Sequence, residues 1–344
     1  MKDSFGRTID YLRISLTDKC NLRCVYCMPP EGITHVSHDE ILSFEEIIRI
    51  VRVMAGRGLK KIRLTGGEPL VRRGIVDLIK KLNQIGGIEE ISLTTNGILL
   101  SEYARPLKEA GIKSVNVSLD TLDEEVFRKI ANPPEKPLAS SQPNNIFSVK
   151  NILNGIRTAL DAGLKVKINC VPCRAYNESE LEQIALLAKN LPVDVRFIEV
   201  MPVGLGKNFS AIPSDEILKR LENAFGKAEK NHQSAHSPAF TVHFKDFSGN
   251  VGFISPLSHS FCSECNRIRL TTEGVLKLCL CYSDGIDLKK ILRSGAGDDT
   301  LKNEIIKAVE KKPRAHSFCG KSDSTSDAEN ENNREKHIMA QIGG

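Results

Sequence analysis

Short β-branched runs alternate with longer amphipathic segments from residue 11 to about residue 200, and this alternation limits the possible folds more than any other feature. The strand candidates are YLRISLT (11–17), KKIRLT (60–65), EEISLTT (89–95), SVNVSLD (114–120), KVKINCV (165–171) and VDVRFIEV (193–200). Helical patterns lie between them, for example at 43–58, 71–87 and 179–191. Parallel strands need crossover helices of this kind, so the pattern predicts an α/β fold, an incomplete (β/α)6 TIM-like barrel. Its functional residues should lie at the carboxyl ends of the strands.

The barrel pattern stops near residue 204, and a C-terminal extension follows. A helical pattern at 214–226 precedes two strand-like pieces, AFTVHFKDF and NVGFISPL. We therefore predict a barrel at 1–235, an extension at 236–315, and a flexible polar tail at 316–344 that ends in a double glycine. The extension carries the second of two cysteine groups described below, and it is predicted to hold the second of two metal sites. The Pro-, Ser- and Asn-rich stretch at 132–145 predicts a surface insertion.

The charge balance suits a small polyanion. The chain of 344 residues has 48 Lys and Arg against 43 Asp and Glu, a net charge of +5, which is too weak an excess to indicate a nucleic-acid surface. No apolar run of about 18 residues is present, so we expect no membrane span. Ten cysteines without a secretory signal indicate a reducing compartment, which we take to be the cytoplasm, although a removed mitochondrial presequence stays open.

Three cysteines follow the first predicted strand directly. Cys20, Cys24 and Cys27 have the spacing C-x3-C-x2-C, with Tyr26 before the last. Three thiolates on a [4Fe–4S] cluster leave one iron free to bind a group that is not protein. A zinc site completed by a distant His or Cys is the alternative that the spacing alone leaves open.

A second group of three cysteines lies in FCSECNRIRLTTEGVLKLCL. Cys262, Cys265 and Cys279 could hold a second cluster, or they could form a zinc ribbon with Cys281 as fourth ligand. Arg267 and Arg269 are two residues apart, so on a strand their guanidinium groups share one face and suit phosphates or a base edge. Of the remaining cysteines, Cys170 is interpreted as a buried thiol, Cys173 as a loop thiol, Cys319 as a tail thiol and Cys281 as a structural thiol.

The first cysteine motif and the sequence Gly66-Gly67-Glu68-Pro69, one β–α unit later, together resemble the radical S-adenosylmethionine superfamily. The resemblance implies that the open iron of the first cluster holds S-adenosylmethionine. It also implies that one-electron reduction then yields a 5′-deoxyadenosyl radical, chemistry that belongs to the cofactor.

Within that superfamily the chain resembles the GTP 3′,8-cyclases of molybdenum-cofactor biosynthesis over most of its length. The resemblance rests on DSFGRTIDYLRISLTDKCNLRCVYCMP, KIRLTGGEPLVRR, LTTNG, NVSLDTL, VKINCV, RFIEVMPVG, FCSECNRIRLT and the final Gly343-Gly344. It implies a radical lyase with two [4Fe–4S] clusters that removes the ribose 3′ hydrogen of GTP, so that C3′ adds to guanine C8. The product would be (8S)-3′,8-cyclo-7,8-dihydroguanosine 5′-triphosphate.

The resemblance also implies roles for individual residues. GTP contacts are expected from Arg13, Arg63, Thr94, Lys167, Arg267, Ile268 and Arg269, with the cationic side chains converging on one mouth of the barrel. Contacts to S-adenosylmethionine are expected from Tyr26, Gly66, Gly67, Ser118 and Met201. Besides the first cysteine trio, Arg267 and Arg269, the catalytic set includes Gly343 and Gly344, because an end without side chains can enter a narrow active site. The expected partners are an electron donor and the next enzyme of the pathway, cyclic pyranopterin monophosphate synthase, and a homodimer stays open.

Simpler interpretations stand beside these. Arg13, Arg63 and Lys167 could pair with barrel carboxylates, and Met201 could fill the core. Two other functions also fit parts of the sequence: a radical peptide-modifying enzyme with an auxiliary cluster, and a zinc-binding nucleic-acid module.

Overall fold

Six parallel strands form the centre of one twelve-stranded sheet. The computed structural model describes residues 1–134, 146–231, 238–318 and 334–343. The central strands are β1 (Tyr11–Ser15), β2 (Lys61–Thr65), β3 (Glu90–Thr95), β4 (Ser114–Ser118), β5 (Lys165–Cys170) and β6 (Asp194–Ile198). They pair in chain order, each parallel to the next, and each lies within its predicted range.

Crossover helices connect these strands, as the alternation predicts. They are α1 (Phe44–Ala55), α2 (Ile75–Asn83), α3 (Leu100–Ala110), α4 (Glu124–Ala131), α5 (Val149–Asp161) and α6 (Leu181–Asn190). Helix α1 begins with a capping box, in which Ser43 Oγ accepts from the Glu46 N–H and the Glu46 carboxylate accepts from the Ser43 N–H. Helix α2 is shorter than predicted at both ends: it begins only after Gly74, which has the left-handed φ of +80°, and it ends at Asn83. Across the ranges described, we find no helix with the length and apolar character of a membrane span.

The C-terminal extension adds strands to both edges of the central sheet. At one edge β10 (Arg267–Leu270) lies parallel to β1, followed by antiparallel β11 (Val275–Lys277) and β12 (Gly285–Asp287). At the other edge β9 (Val251–Ile254) lies parallel to β6, followed by β8 (Ala239–His243) and β7 (Glu229–Lys230). Helices α7 (Ser214–Phe225), α8 (Leu288–Arg293) and α9 (Asp298–Glu310) complete the extension.

The two faces of the sheet differ sharply in polarity. Leu12 and Ile14 of β1 are fully buried in the hydrophobic core beneath the helices, as are Ile62 and Leu64 of β2. The alternate residues of β1 (Tyr11, Arg13 and Ser15) point to the inside of the barrel, because successive side chains of a strand point to opposite faces. The incomplete (β/α)6 barrel with an extension is thus confirmed, and its interior is polar.

Several predictions concern residues that the structure does not describe. These are most of the 132–145 insertion, residues 319–333 of the tail, Cys319 and Gly344. The boundaries at 235 and 315 stay predictions.

Candidate active site

The loop that carries Cys20, Cys24 and Cys27 leaves the carboxyl end of β1 and is held against Gly66 and Gly67. The Gly67 N–H donates to the Thr17 carbonyl at 2.7 Å, and the Glu68 N–H donates to the Lys19 carbonyl at 2.8 Å. A Cβ atom on Gly67 would lie 2.4 Å from the Lys19 carbonyl oxygen. The second glycine therefore lets the strand end approach the cysteine loop closely.

The three cysteines of this first trio are neighbours and half-buried. Burial raises the pKa of Cys20 to about 12 and that of Cys27 to about 11, and it raises the pKa of Cys24 well above the ordinary value. The Leu22 N–H donates to the Cys20 sulfur at 3.4 Å. Within the described ranges, no three Cys, His, Asp or Glu side chains gather as they would around one metal ion. Three free, neighbouring, half-buried thiols with an N–H donor fit a larger iron–sulfur cluster, which binds thiolates.

Tyr26 is fixed next to this trio by Asp120. The Tyr26 hydroxyl donates to Asp120 Oδ2 at 2.6 Å, and the Val171 N–H donates to Asp120 Oδ1 at 2.8 Å. Burial raises the pKa of Asp120 to about 6. A small cavity of about 30 Å³ is lined by Tyr26, Asp120, Ser118 and Cys24, so Ser118 lies beside the first trio.

Arginine side chains line the interior on neighbouring strands. The sheet register places Arg13 opposite Arg269 on one side and opposite Arg63 on the other. Burial lowers the pKa of Arg13, and the charges of Arg269 and Arg63 lower it further. Burial likewise lowers the pKa of Arg269 to about 10. Like charges held this closely in a buried site create a strong attraction for a polyanion.

Tyr11, the first residue of β1, contacts two arginines of this row. Arg63 donates from Nε to the Tyr11 hydroxyl. The guanidinium carbon of Arg267 lies 5.8 Å from the Tyr11 ring centre and 5.3 Å from that of Phe261. Ile268, between the two arginines, is buried on the opposite face, so only its backbone can take part in ligand contacts.

The second trio lies around the start of β10. Cys262 and Cys265 precede β10, and Cys279 follows β11, which runs antiparallel to it. Burial would raise the pKa of Cys262, but a hydrogen bond with His316 lowers it to about 7, whereas burial raises the pKa of Cys279. No sequence motif indicated a role for His316.

The two trios lie at opposite ends of the barrel interior. Because β10 is parallel to β1 and Arg267 is opposite Tyr11, Cys265 lies near the amino end of β1, whereas Cys20 follows its carboxyl end. A strand rises about 3.3 Å per residue, so β1 alone separates the two ends by roughly 15 Å. The arginines of β1, β2 and β10 lie between the trios. The expectation that the cations converge on one mouth was therefore wrong.

The chain matches two protein-family models and many known relatives. The Radical SAM superfamily model matches residues 14–188, and the Molybdenum Cofactor Synthesis C model matches residues 193–318. The chain is 44% identical over 350 residues to the GTP 3′,8-cyclase of Clostridium perfringens, with 100% of both chains covered. It belongs to the GTP 3′,8-cyclase family of radical S-adenosylmethionine proteins.

Two further comparisons extend this result. The GTP 3′,8-cyclase of Thermodesulfovibrio yellowstonii is 46% identical over 321 residues, covering 92% of this chain and 96% of that one. Among solved structures, Streptococcus suis SuiB bound to S-adenosylmethionine matches with a TM-score of 0.60 at 14% identity, over 87% of this chain and 68% of that one. At this identity the match supports the fold alone.

Gly343 of this cyclase-family chain lies inside the barrel. The Gly343 carbonyl oxygen accepts a hydrogen bond from Arg269 Nη1 at 2.6 Å. Gly343 has φ +76°, and a Cβ atom there would lie 2.6 Å from Thr65 Oγ1 and 3.0 Å from Ser15 Cβ. The structure therefore brings Gly343 next to the cationic row.

Some predicted residues have simpler surroundings. Lys167 Nζ lies 3.9 Å from Asp194 Oδ2, so the ion pair considered as its simpler interpretation is present. Thr94 lies on β3 opposite Asn116. Met201 follows β6, and its carbonyl oxygen would lie 2.3 Å from a Cβ atom on Gly206. Cys170, Cys173 and Cys281 are all buried, which agrees with a structural role for Cys281.

Three polar groups of the site were missed. Arg196 on β6 lies at an alternate strand position like that of Arg13, and burial followed by the charge of Arg63 lowers its pKa. Glu68 accepts from the Leu70 N–H, the Thr95 hydroxyl and the Asn96 N–H, and burial raises its pKa to about 7. Asp120 is the third. Arg196 could have been found from the sequence, because it is a charged residue at an inward-facing, alternate position of a predicted strand.

Proposed function

We propose that the protein converts GTP to (8S)-3′,8-cyclo-7,8-dihydroguanosine 5′-triphosphate, the first step of molybdenum-cofactor biosynthesis. The observation that carries the proposal is the row of half-buried guanidinium groups between two cysteine trios, with Arg13 in register with both Arg63 and Arg269. This arrangement suits a nucleoside triphosphate that lies lengthwise in the barrel with one end toward each trio.

The donors at the two ends of the barrel fit the cofactors of the family. Cys20, Cys24 and Cys27 would hold the first [4Fe–4S] cluster, and the trio Cys262, Cys265 and Cys279 would hold the second. Tyr26, Gly66, Gly67, Ser118 and Met201 would contact S-adenosylmethionine. When bound, the first cluster and S-adenosylmethionine supply a carbon-centred radical that can take a hydrogen atom from the substrate.

The chain's own residues bind and orient the nucleotide. Arg13, Arg63, Lys167, Arg269 and the newly identified Arg196 would neutralise the triphosphate, because guanidinium groups bind phosphate oxygens in a bidentate manner. Arg267, Thr94 and the Ile268 backbone would position the nucleoside.

Unpaired acceptors on the inner face support a polar ligand. Asn116 Oδ1 and Asn169 Oδ1 are buried without a hydrogen-bond partner in the part of the chain that the structure describes. A buried acceptor without a partner is costly, so a ligand hydroxyl or N–H donor at this position would be favoured.

The C-terminal segment closes part of the interior to water. Ala340 and Ile342 are buried, and Gly343 fills the space between Ser15 and Thr65. Excluding water strengthens the attraction between the arginines and a triphosphate and protects reactive species from side reactions.

Anaerobic incubation with GTP, S-adenosylmethionine and a reductant, followed by mass analysis of the nucleotide, tests the proposal. We expect a brown protein with about eight irons per chain and an isomer of GTP as product. Zinc without iron, or cleavage of S-adenosylmethionine with GTP left unchanged under all conditions, would overturn the assignment.

The proposed reaction requires further partners. A one-electron donor must reduce the first cluster, and an enzyme that rearranges the cyclic nucleotide, namely cyclic pyranopterin monophosphate synthase, must consume the product. We place both, with this protein, in the cytoplasm. Gel filtration of the anaerobic protein tests whether it forms a homodimer.

A further inference from the structure

Residues 334–343, which we call the C-terminal strap, run from the second cysteine group to the first. The Glu335 N–H donates to the Cys281 carbonyl at 2.9 Å, close to the second trio. The Ala340 N–H forms a hydrogen bond with the Cys27 sulfur of the first trio. Gly343 then reaches Arg269 inside the barrel. The strap is therefore held at its start, middle and end.

The start of the strap is fixed by a buried ion pair between Lys277 of β11 and Glu335. Only 3% of the Lys277 side chain and 1% of the Glu335 side chain are exposed. Lys277 Nζ also donates to the Tyr282 carbonyl at 2.7 Å, and Glu335 Oε1 accepts from the His337 N–H at 2.8 Å. A buried pair of this kind adds little net stability, but breaking it leaves an uncompensated charge, so it strongly favours one arrangement of the chain.

The far end of the strap excludes a slip that would bring Ile342 to the place of Gly343. The space around Gly343 is so narrow that a methyl group added at its Cα atom would lie only 2.6 Å from Thr65 Oγ1. Consecutive Cα atoms are about 3.8 Å apart, so a slip of one residue would bring Ile342 or Gly344 to this place. Ile342 has a branched side chain that this space cannot hold.

The middle of the strap depends on Gly204, in the loop after β6. A Cβ atom on Gly204 would lie 2.9 Å from the Ile338 Cα atom and 3.2 Å from its Cγ2 atom. The backbone of Ile338 is thus in direct contact with Gly204. This contact is independent of the Lys277–Glu335 pair.

We propose that Lys277 and Glu335 are positioning residues that set the register of the C-terminal strap, so that Gly343 and not Ile342 arrives beside Arg269. Neither residue touches the proposed ligands. They act through the eight residues that follow Glu335. The position of the strap does not depend on the reaction, whereas its effect on turnover rests on the proposed function.

Hydrogen–deuterium exchange of the anaerobic protein with both clusters tests this proposal without an activity assay. In Glu335→Gln, amides of 334–343 should exchange about tenfold faster or more than in the wild type, because Lys277 loses its buried partner. The matched control is Glu89→Gln, which removes one partner of the exposed Lys60–Glu89 pair, joined at 2.8 Å, and should leave the strap unchanged. Unchanged exchange of 334–343 in Glu335→Gln would overturn the proposal.

Two further variants keep the test decisive if a single substitution disturbs folding. The double variant Lys277→Met/Glu335→Leu replaces the pair by apolar groups of similar volume and should restore slow exchange relative to Lys277→Met. Gly204→Ala should speed exchange of the Gln341 amide while leaving the Glu335 amide protected. If the double variant exchanged as fast as Lys277→Met, or if Gly204→Ala released Glu335 as well, a register set by this pair would be excluded.

Turnover provides the second readout. Iron content and S-adenosylmethionine cleavage should be retained in Glu335→Gln, while formation of the cyclic nucleotide falls by about tenfold or more. Faster exchange with full cyclisation would show that the pair positions the strap but that the strap is not needed, which contradicts the proposed role of Gly343 and leaves the GTP cyclase assignment intact.

Discussion

Arg269 donates a hydrogen bond from Nη1 to the carbonyl oxygen of Gly343 at 2.6 Å, which joins the end of the chain to a cation deep in the barrel. Arg269 lies on β10 and Gly343 lies 74 residues later. The cation that we assign to GTP binding therefore contacts the chain's own backbone. The end of the chain and the substrate site form one structural unit.

Gly343→Ala tests this unit. A Cβ atom at φ +76° would lie 2.6 Å from Thr65 Oγ1, so the chain end must move away from Arg269. We expect cyclic nucleotide formation to fall about 100-fold, because small displacements in an active site have effects of that size, while S-adenosylmethionine cleavage continues. Gly297→Ala, where a Cβ atom meets nothing within 4 Å, is the matched control. Full cyclisation by Gly343→Ala would contradict the role of the strap.

Gly67→Ala should remove the first cluster. The added Cβ atom would lie 2.4 Å from the Lys19 carbonyl oxygen, a backbone atom that cannot move without displacing Cys20. Iron analysis should fall from about eight to about four atoms per chain. Gly86→Ala, with nothing within 4 Å of its Cβ atom, should keep the full iron content. An iron content of about eight in both variants would show that this close approach is not needed.

Substitutions in the two cysteine trios should impair different reactions. Cys24→Ser is expected to abolish S-adenosylmethionine cleavage, because it would remove a proposed ligand of the cluster that the cofactor would bind. Cys265→Ser should spare part of this cleavage and eliminate the cyclic nucleotide. Product analysis of both reactions by mass spectrometry decides, and identical loss of cleavage in the two variants would refute the division of labour.

Arg196→Gln should weaken GTP binding by about tenfold or more, since a charge-assisted phosphate contact contributes at least about 1.4 kcal/mol. The loss should shrink as salt increases, because screening weakens these contacts. Arg220→Gln serves as control, since Arg220 pairs with Glu182 at 2.8 Å outside the barrel. Equal affinity in wild type and Arg196→Gln by calorimetry would remove Arg196 from the site.

Glu68 gives a pH dependence with a definite sign. Burial raises its pKa from 4.5 to about 7, so the folded protein holds a proton that the unfolded chain releases between these values. Stability from this group is therefore greatest at low pH and falls as pH rises toward about 7, by roughly 3 kcal/mol in total. The thermal midpoint of the wild type, relative to that of Glu68→Gln, should therefore increase when the pH is lowered from 8 to 5. A constant difference would contradict the shift.

The elements that sequence reasoning predicted best are those with local signals. The six strands are recognisable from β-branched runs, and Ser43 and Glu46 mark the start of α1 through a capping box that lies within four residues. The cysteine trios are likewise local patterns. A short-range signal therefore located both the sheet and the candidate metal ligands.

The features that were missed depend on partners far apart in the chain. Asp120 meets Tyr26 across 94 residues, and Lys277 meets Glu335 only because the strap returns to β11. The relative position of the two trios was also beyond the sequence, since it follows from β10 pairing with β1 in parallel. Such contacts depend on the order of strands in the sheet, which a single sequence does not specify.

The way in which β10 and β9 flank the six-stranded centre has a consequence for dissecting the protein. A fragment that ended after α6 or β6 would leave the backbone groups of β1 and β6 without neighbours along two open borders. Such borders recruit strands from other molecules, so the isolated barrel should associate into aggregates instead of remaining monomeric. We therefore expect the barrel to need strands β9 and β10 in order to stay monomeric.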